Sequence, residues 1–376
     1  MTIPGSTQSA VVDATTPGGD RFIRPLTDFL RAEAGAGALL VFAAVVAIVW
    51  ANSPWSDTYF DVWNTDLVVG IGRHQLVLDL RDWINDVAMV LFFFVAGLEI
   101  KREVTQGELR DPRQASLPII AALGGMAVPA AVFALFNAGT AASRGWGIPM
   151  ATDIAIVTGV VAMIGSRAPS WLKLFLLALA IADDIGAIIV IAIFYSEGVA
   201  LGWLALAVAT LVVTFFVRTR VPFVAVYLAL GSVCWFALHQ AHVHTTLTGV
   251  AFGLLAPVTP RLGTHLIDAD ELARNPGPAT AARLSRRAQL SVSVVEWLEH
   301  RLHPWSAFLV VPVFALANAG IDLPGRGQLS EAFSNRVTWG VILGLVVGKT
   351  IGITAATLLA VRLKICLLYT SDAADE

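Results

Sequence analysis

Charge is scarce in this sequence. Asp, Glu, Lys and Arg make up 14% of its 376 residues, where a soluble domain carries about 25%. Hydrophobic residues reach 56% and the mean hydropathy is +0.72, which excludes a soluble globular enzyme. Cysteine is confined to Cys234 and Cys366, too few for a disulfide framework. Glycine-rich phosphate loops, zinc-ligand spacings and nucleic-acid modules are missing as well, so no cofactor and no nucleic-acid partner is expected. A secretory signal is also lacking: the first apolar run follows Arg31-Ala-Glu33 and is long enough to stay as a span. The net charge of −3 says little, because in a membrane the sidedness of charge matters more than its sum. What remains is an all-α polytopic membrane protein, with lipid as its surroundings.

The apolar runs predict about ten transmembrane helices, at 34–51, 86–100, 115–137, 147–165, 171–195, 198–217, 222–238, 243–257, 305–320 and 338–361. The second is long enough only if Trp83 to Asp86 is helical, and the eighth is short and flanked by histidines. With the N-terminus inside, only Arg73, Arg81, Arg144, Arg326 and Arg336 fall on outer segments. Lys349 lies within a span, and every other Lys and Arg falls on the inner side. The positive-inside rule therefore predicts a cytoplasmic N-terminus. Residues 1–24 are expected to be a disordered tail, and 258–304 a polar inner loop. In the first outer loop, Leu67, Val69 and Ile71 alternate, then Leu76, Leu78 and Leu80, around Gly72-Arg73-His74. That pattern predicts a small extracytoplasmic β-hairpin over 66–81. Its apolar face either contacts a second subunit, giving a homodimer, or folds back on its own chain.

The residues that stand out chemically are acids in the wrong place. In a helix over 171–195, twelve residues flank Asp183 on each side. At about 1.5 Å per residue the carboxylate lies roughly 18 Å from either end, near the middle of a ~30 Å hydrocarbon layer. An acid there costs about 2.5–3.5 kcal/mol on insertion scales. Asp184 follows it directly, about 100° around the helix, and Asp153 lies on the preceding span. Acids on neighbouring spans suggest a cation path. Asp153 and Thr152 come after Gly145-Trp-Gly147-Ile-Pro149-Met-Ala, a composition that marks a discontinuous helix; a helix that merely starts late, capped by Thr152 or Asp153, is the other reading. Lys349 is eleven residues from Thr338 and twelve from Val361, too deep to reach water, so it needs an acidic partner among Asp183, Asp184 and Asp153. Gly340, Gly344, Gly348 and Gly352 form a stripe on the same span that lets a helix approach closely. Glu99-Ile-Lys101-Arg102-Glu103 reads as a solvated charge cap. Glu299, His300, His303 and His244 read equally as proton sensors or as ordinary interfacial residues.

Taken together, ANSPW (51–55), FFFVAGLEIKRE (92–103), GIPMATDIA (147–155), GSRAPSWLKLFLLALAIADDIGAIIVIAIFYS (165–196), VHTTLTG (243–249), LEHRLHPW (298–305), PVFALANAGI (312–321) and VGKTIGI (347–353) resemble the NhaA-type family of bacterial sodium/proton antiporters, over about residues 25–364. The resemblance implies an inverted-repeat antiporter fold of twelve spans with crossed, broken helices, an architecture carried over from the family. It implies Asp183 and Asp184 as the pair that binds Na⁺ transiently and protons, and Asp153 as the acid of the broken helices. Lys349 would pair with Asp183, and Glu99, Glu103, His244, Glu299, His300 and His303 match positions linked to pH response. The implied function is electrogenic Na⁺(Li⁺)/H⁺ antiport in the inner membrane, exporting sodium for pH and sodium homeostasis. The protein is then a transporter and not an enzyme.

The sequence departs from that family in having ten spans. Beyond Ile365 it reads CLLYTSDAADE, similar to one frame of sequencing-library adapter DNA. Residues 365–376 are therefore expected to be a non-native tail on a C-terminally truncated chain, with the antiporter domain over 25–364. In such a chain the glycine stripe is expected to face lipid or a gap. The same residues admit three rival readings. An intramembrane aspartyl protease would show a GxGD motif, absent around Asp183, and leaves Lys349 without a role. A sodium-coupled solute symporter of similar fold would show substrate-dependent sodium flux. An inactive truncated fragment would show no exchange.

Overall fold

The computed structural model describes residues 20–71, 74–151, 170–196, 198–218, 220, 224–258, 293–322 and 333–363. The molecule is mostly helical. Helix α1, Asp20–Ala51, starts within the stretch expected to be a tail. It turns by 117° into the short α2, Ser56–Trp63. Strands β1, Asp66–Ile71, and β2, His74–Asp79, follow as an antiparallel pair. Leu67 faces Leu78 and Val69 faces Leu76, so the alternating apolar residues share one face, as the period of two requires. The Trp83 indole donates to the Leu67 carbonyl at 3.2 Å and tethers the hairpin to the next helix.

That helix, α3, runs over Leu80–Thr105. Asp79 caps it, accepting from the Asp82 N–H at 2.6 Å, so the polar start at Trp83 to Asp86 is helical and the span is long enough. It carries a π turn at Ile84–Ala88. A π turn withdraws carbonyls from the regular ladder, and the Asp86 carbonyl accepts from the Trp235 indole at 2.6 Å. Helix α4, Pro112–Asn137, is capped by Asp111 and has Pro112 in its first turn, where the missing N–H costs nothing. A ten-residue 3₁₀ segment, Ala141–Met150, follows. Next come α5, Ser170–Phe194, α6, Leu201–Val217, α7, Val224–Gln240, and α8, Leu247–Leu255. The nine residues of α8 agree with a short eighth span.

Val294–Trp305, a π turn at Ser306–Val310 and Val311–Asn318 form one continuous run, here α9. The helix that carries the ninth apolar run therefore begins well before residue 305, with Ser293 accepting from the Glu296 N–H as its cap. The last helix, α10, spans Arg336–Arg362 with a π turn at Gly344–Gly348.

Among the described residues four helices are long and apolar enough to cross a membrane, or five if the bent α1–α2 pair is one span. Helices α6 and α7 are apolar but shorter. The count of ten reaches into segments outside the described residues, notably 152–169.

Helix α4 is the hub. It packs along α10 and α5 and against the 3₁₀ segment. The glycine stripe makes the α4–α10 contact possible. A Cβ on Gly352 would lie 2.2 Å from the Gly124 carbonyl, and one on Gly348 would lie 3.0 Å from the Pro129 Cα. The expectation that this stripe faces lipid or a gap is thus corrected: α4 fills it. Its physical basis is that glycine lets backbones touch, and the partner lies earlier in the chain.

Candidate ion-binding site

Asp183 sits where α5 packs on α4. Ala121 and Ala122 of α4 and Leu179 and Ala182 of α5 make a small buried cluster, with Phe175, Leu176 and Ile353 around it. Small side chains at this contact bring α5 close enough for its carboxylate to reach α10. Gly186, one turn beyond Asp183, is seated against the Met126 side chain, which a Cβ would strike at 2.3 Å. Asp183 is only 3% exposed. Its Oδ2 lies 2.8 Å from the Lys349 Nζ.

Lys349 follows the π turn of α10 directly. Its ammonium also donates to the Met150 carbonyl, the last of the 3₁₀ segment. After Met150 the chain opens: Ala151 is extended, with φ −61° and ψ 139°. A largely buried lysine, its side chain 12% exposed, therefore holds together a carboxylate on one helix and a released carbonyl where another segment ends. Charge pairing and hydrogen bonding both satisfy it, as a buried ammonium requires. Asp184 points about 100° away around α5 and is half-buried. Thr152 and Asp153 lie outside the described residues. Among the described residues no three His, Cys, Asp or Glu side chains gather to hold a metal ion.

A second charged group joins α3 to α9. Arg102 Nη1 lies 2.5 Å from Glu299 Oε1, and its Nη2 is 4.0 Å from Glu103 Oε1. The His303 Nε2 is 3.9 Å from Glu99 Oε1. Glu299 and Glu103 are 7% and 8% exposed. The Glu99–Glu103 stretch is thus no solvated cap, because α9 covers it. Glu299 precedes the apolar stretch of α9. Burial pushes its carboxyl above the usual carboxylate range, against the lowering pull of Arg102 and then His303. Glu103 and Glu296 add smaller upward pushes.

The remaining histidines stand apart from this group. His300 is exposed on α9, and His244 is exposed just before α8. The structure therefore brings Glu99, Glu103, Glu299 and His303 together, and neither His300 nor His244 with them.

Sequence reasoning overlooked Arg102, the Met150 carbonyl and Tyr195. Arg102 stood inside a charge run that looked solvated. A backbone carbonyl has no sequence signature. Tyr195, at the apolar end of α5, had no visible partner in the chain.

Comparison with known proteins gives the family. The family model described as Na+/H+ antiporter 1 matches residues 27–373. The Na(+)/H(+) antiporter NhaA of Rhodopirellula baltica is 44% identical over 362 residues, covering 93% of this chain and 81% of that protein. The Na(+)/H(+) antiporter NhaA 2 of Sorangium cellulosum is 44% identical, covering 92% and 77%. The Na(+)/H(+) antiporter NhaA of Anaeromyxobacter is 45% identical, covering 90% and 77%. With a buried acid–lysine pair among apolar helices and a family match over nearly its whole length, the chain belongs to the Na+/H+ antiporter 1 family and is a membrane Na⁺/H⁺ antiporter.

Proposed function

We propose that Asp183 and Asp184 form the exchange site, taking up Na⁺ or Li⁺ and protons in alternation. The observation that carries this reading is the Asp183–Lys349 contact of 2.8 Å at a carboxylate only 3% exposed. A cation needs ionised carboxylates, and protons compete for the same oxygens. Bare carboxylates in apolar surroundings are costly, so the site changes its exposure when loaded with either species and resists changing when empty. Exchange then follows without a separate coupling device. Two acids and one lysine can take up more protons than monovalent cations, which fits electrogenic exchange with protons entering and sodium leaving. Asp153 and Thr152 belong to the same site in this reading, balancing the ends of broken helices in an inverted-repeat fold of which this sequence carries about ten of an expected twelve spans.

The Arg102–Glu299 group and its neighbours Glu99, Glu103 and His303 set the pH response, at the cytoplasmic surface of the inner membrane. The 66–81 hairpin, whose Leu67 and Val69 are about half exposed, serves a homodimer contact, since an isolated hairpin is barely stable alone.

Sodium-driven proton movement in membrane vesicles tests the site. Asp183→Asn and Asp184→Asn should each abolish it, at protein levels matching the unsubstituted chain. Unchanged exchange rates in both variants would sink the assignment.

A further inference from the structure

The segment Ala141–Met150 is held by side chains from two other elements. Tyr195 follows the end of α5. Its hydroxyl donates to the Arg144 carbonyl at 2.7 Å and accepts from the Gly147 N–H at 2.8 Å. One hydroxyl thus uses its donor and an acceptor site on the same segment. The Trp146 ring meets Phe194 and Tyr195 with centroids 5.2 and 6.0 Å apart. Gly147 is needed for this approach, since a Cβ there would lie 2.6 Å from the Tyr195 oxygen. At the end of the segment, the Met150 carbonyl accepts from Lys349, whose Nζ also contacts Asp183. Gly147 and Met150 are one 3₁₀ turn apart, about 6 Å along the axis.

We propose that Tyr195 is a positioning residue for sodium binding: it fixes the register of the 3₁₀ segment so that the Met150 carbonyl shares the Lys349 ammonium with Asp183. The inference rests on the reading of Asp183 and Asp184 as the exchange site. A cation arriving at Asp183 competes with Lys349 for the carboxylate. While the Met150 carbonyl holds part of the hydrogen bonding of that ammonium, the competition is eased. A segment released at Arg144 and Gly147 slips, Lys349 turns wholly to Asp183, and sodium binds less tightly. The turnover of a loaded site does not pass through Tyr195.

The test is a sodium titration of proton movement in vesicles containing Tyr195→Phe. The apparent KM for sodium should rise about tenfold, the scale of one or two hydrogen bonds, while the rate at saturating sodium stays within about twofold. Gly147→Ala is the second variant. Its methyl group meets the Tyr195 hydroxyl and ring edge at 2.6–3.0 Å and pushes the hydroxyl off the segment, so it should raise KM similarly, and the double variant should be no worse than either single one, because both remove the same interaction. If Tyr195→Phe does not accumulate, Gly147→Ala carries the titration. An unchanged KM, or additive effects in the double variant, would overturn the proposal. Lower protein levels at unchanged KM would do so too, since they show a strut for stability alone. Asp183→Asn is measured alongside. Exchange at the unsubstituted rate there refutes the site itself, whereas an inactive Asp183→Asn with an unchanged KM in Tyr195→Phe refutes only the role of Tyr195.

Discussion

Replacing Arg102 by Ala would leave the Glu299 carboxylate in a buried position without its 2.5 Å ion pair. Removing one partner of a fully buried pair costs about 3–5 kcal/mol, and exposed pairs contribute about 0–1 kcal/mol. Glu299 has a side chain 9% exposed and Arg102 one 35% exposed, so the pair lies between these limits. A loss of about 2 kcal/mol follows. In purified protein this lowers Tm by about 2–5 °C. The pH dependence is the sharper readout. The carboxyl of folded Glu299 is raised above its ordinary value by burial, so the folded state binds the proton more readily than the unfolded chain does. Stability from this group therefore falls as pH rises through the raised value. Arg102 limits that fall by favouring the charged form. Without Arg102 the fall is steeper, so the variant is penalised most above the raised pKa and least below it, where the carboxyl is neutral in both proteins. Thermal unfolding of both proteins in detergent across pH 5 to 8.5 measures it, with Glu299→Gln added to Arg102→Ala expected to restore most of the loss at high pH. An equal loss of Tm at every pH would refute the reasoning, because it would mean that packing of the arginine stem, not charge compensation, is what was removed.

Two further outcomes follow from the same geometry. Glu299→Gln should shift the pH at which exchange begins with the maximal rate largely intact, while His300→Ala, being exposed and outside the ion-pair group, should leave the profile unchanged; a pH profile of vesicle exchange checks both. Gly352→Leu should drive a side chain into the Gly124 carbonyl, which a Cβ already approaches to 2.2 Å. Overpacking of this kind costs about 1–3 kcal/mol or more, so the amount of folded protein recovered in detergent should drop, whereas Ile351→Leu on the exposed face of α10 should not change it.

The sequence by itself determined the class of protein and marked the charged residues that stand out in its apolar runs. Low charge and long apolar runs leave only membrane helices, because an unsatisfied backbone in lipid is so costly that hydropathy and helix length go together. Asp183 was visible because an acid flanked by a dozen residues on each side cannot reach water, and Lys349 for the same reason. Punctuation was legible too: Gly72-Arg73-His74 between alternating residues announced the paired strands β1 and β2.

What the tertiary structure alone decided is who meets whom. A glycine stripe says that something comes close, and only the fold shows that α4 is what comes. The run at Glu99–Glu103 reads as solvated in one dimension, and becomes a buried ion-pair group when α9, some two hundred residues later, lies over it. Lys349 had several acids within reach of its depth, and the packing of α5 through Ala121, Ala122 and Ala182 selects Asp183. The Met150 carbonyl and the Tyr195 hydroxyl carry no pattern at all. Spacing along the chain records which face of a helix is apolar, but not which other helix it faces, because that choice is made by the packing of all the faces at once.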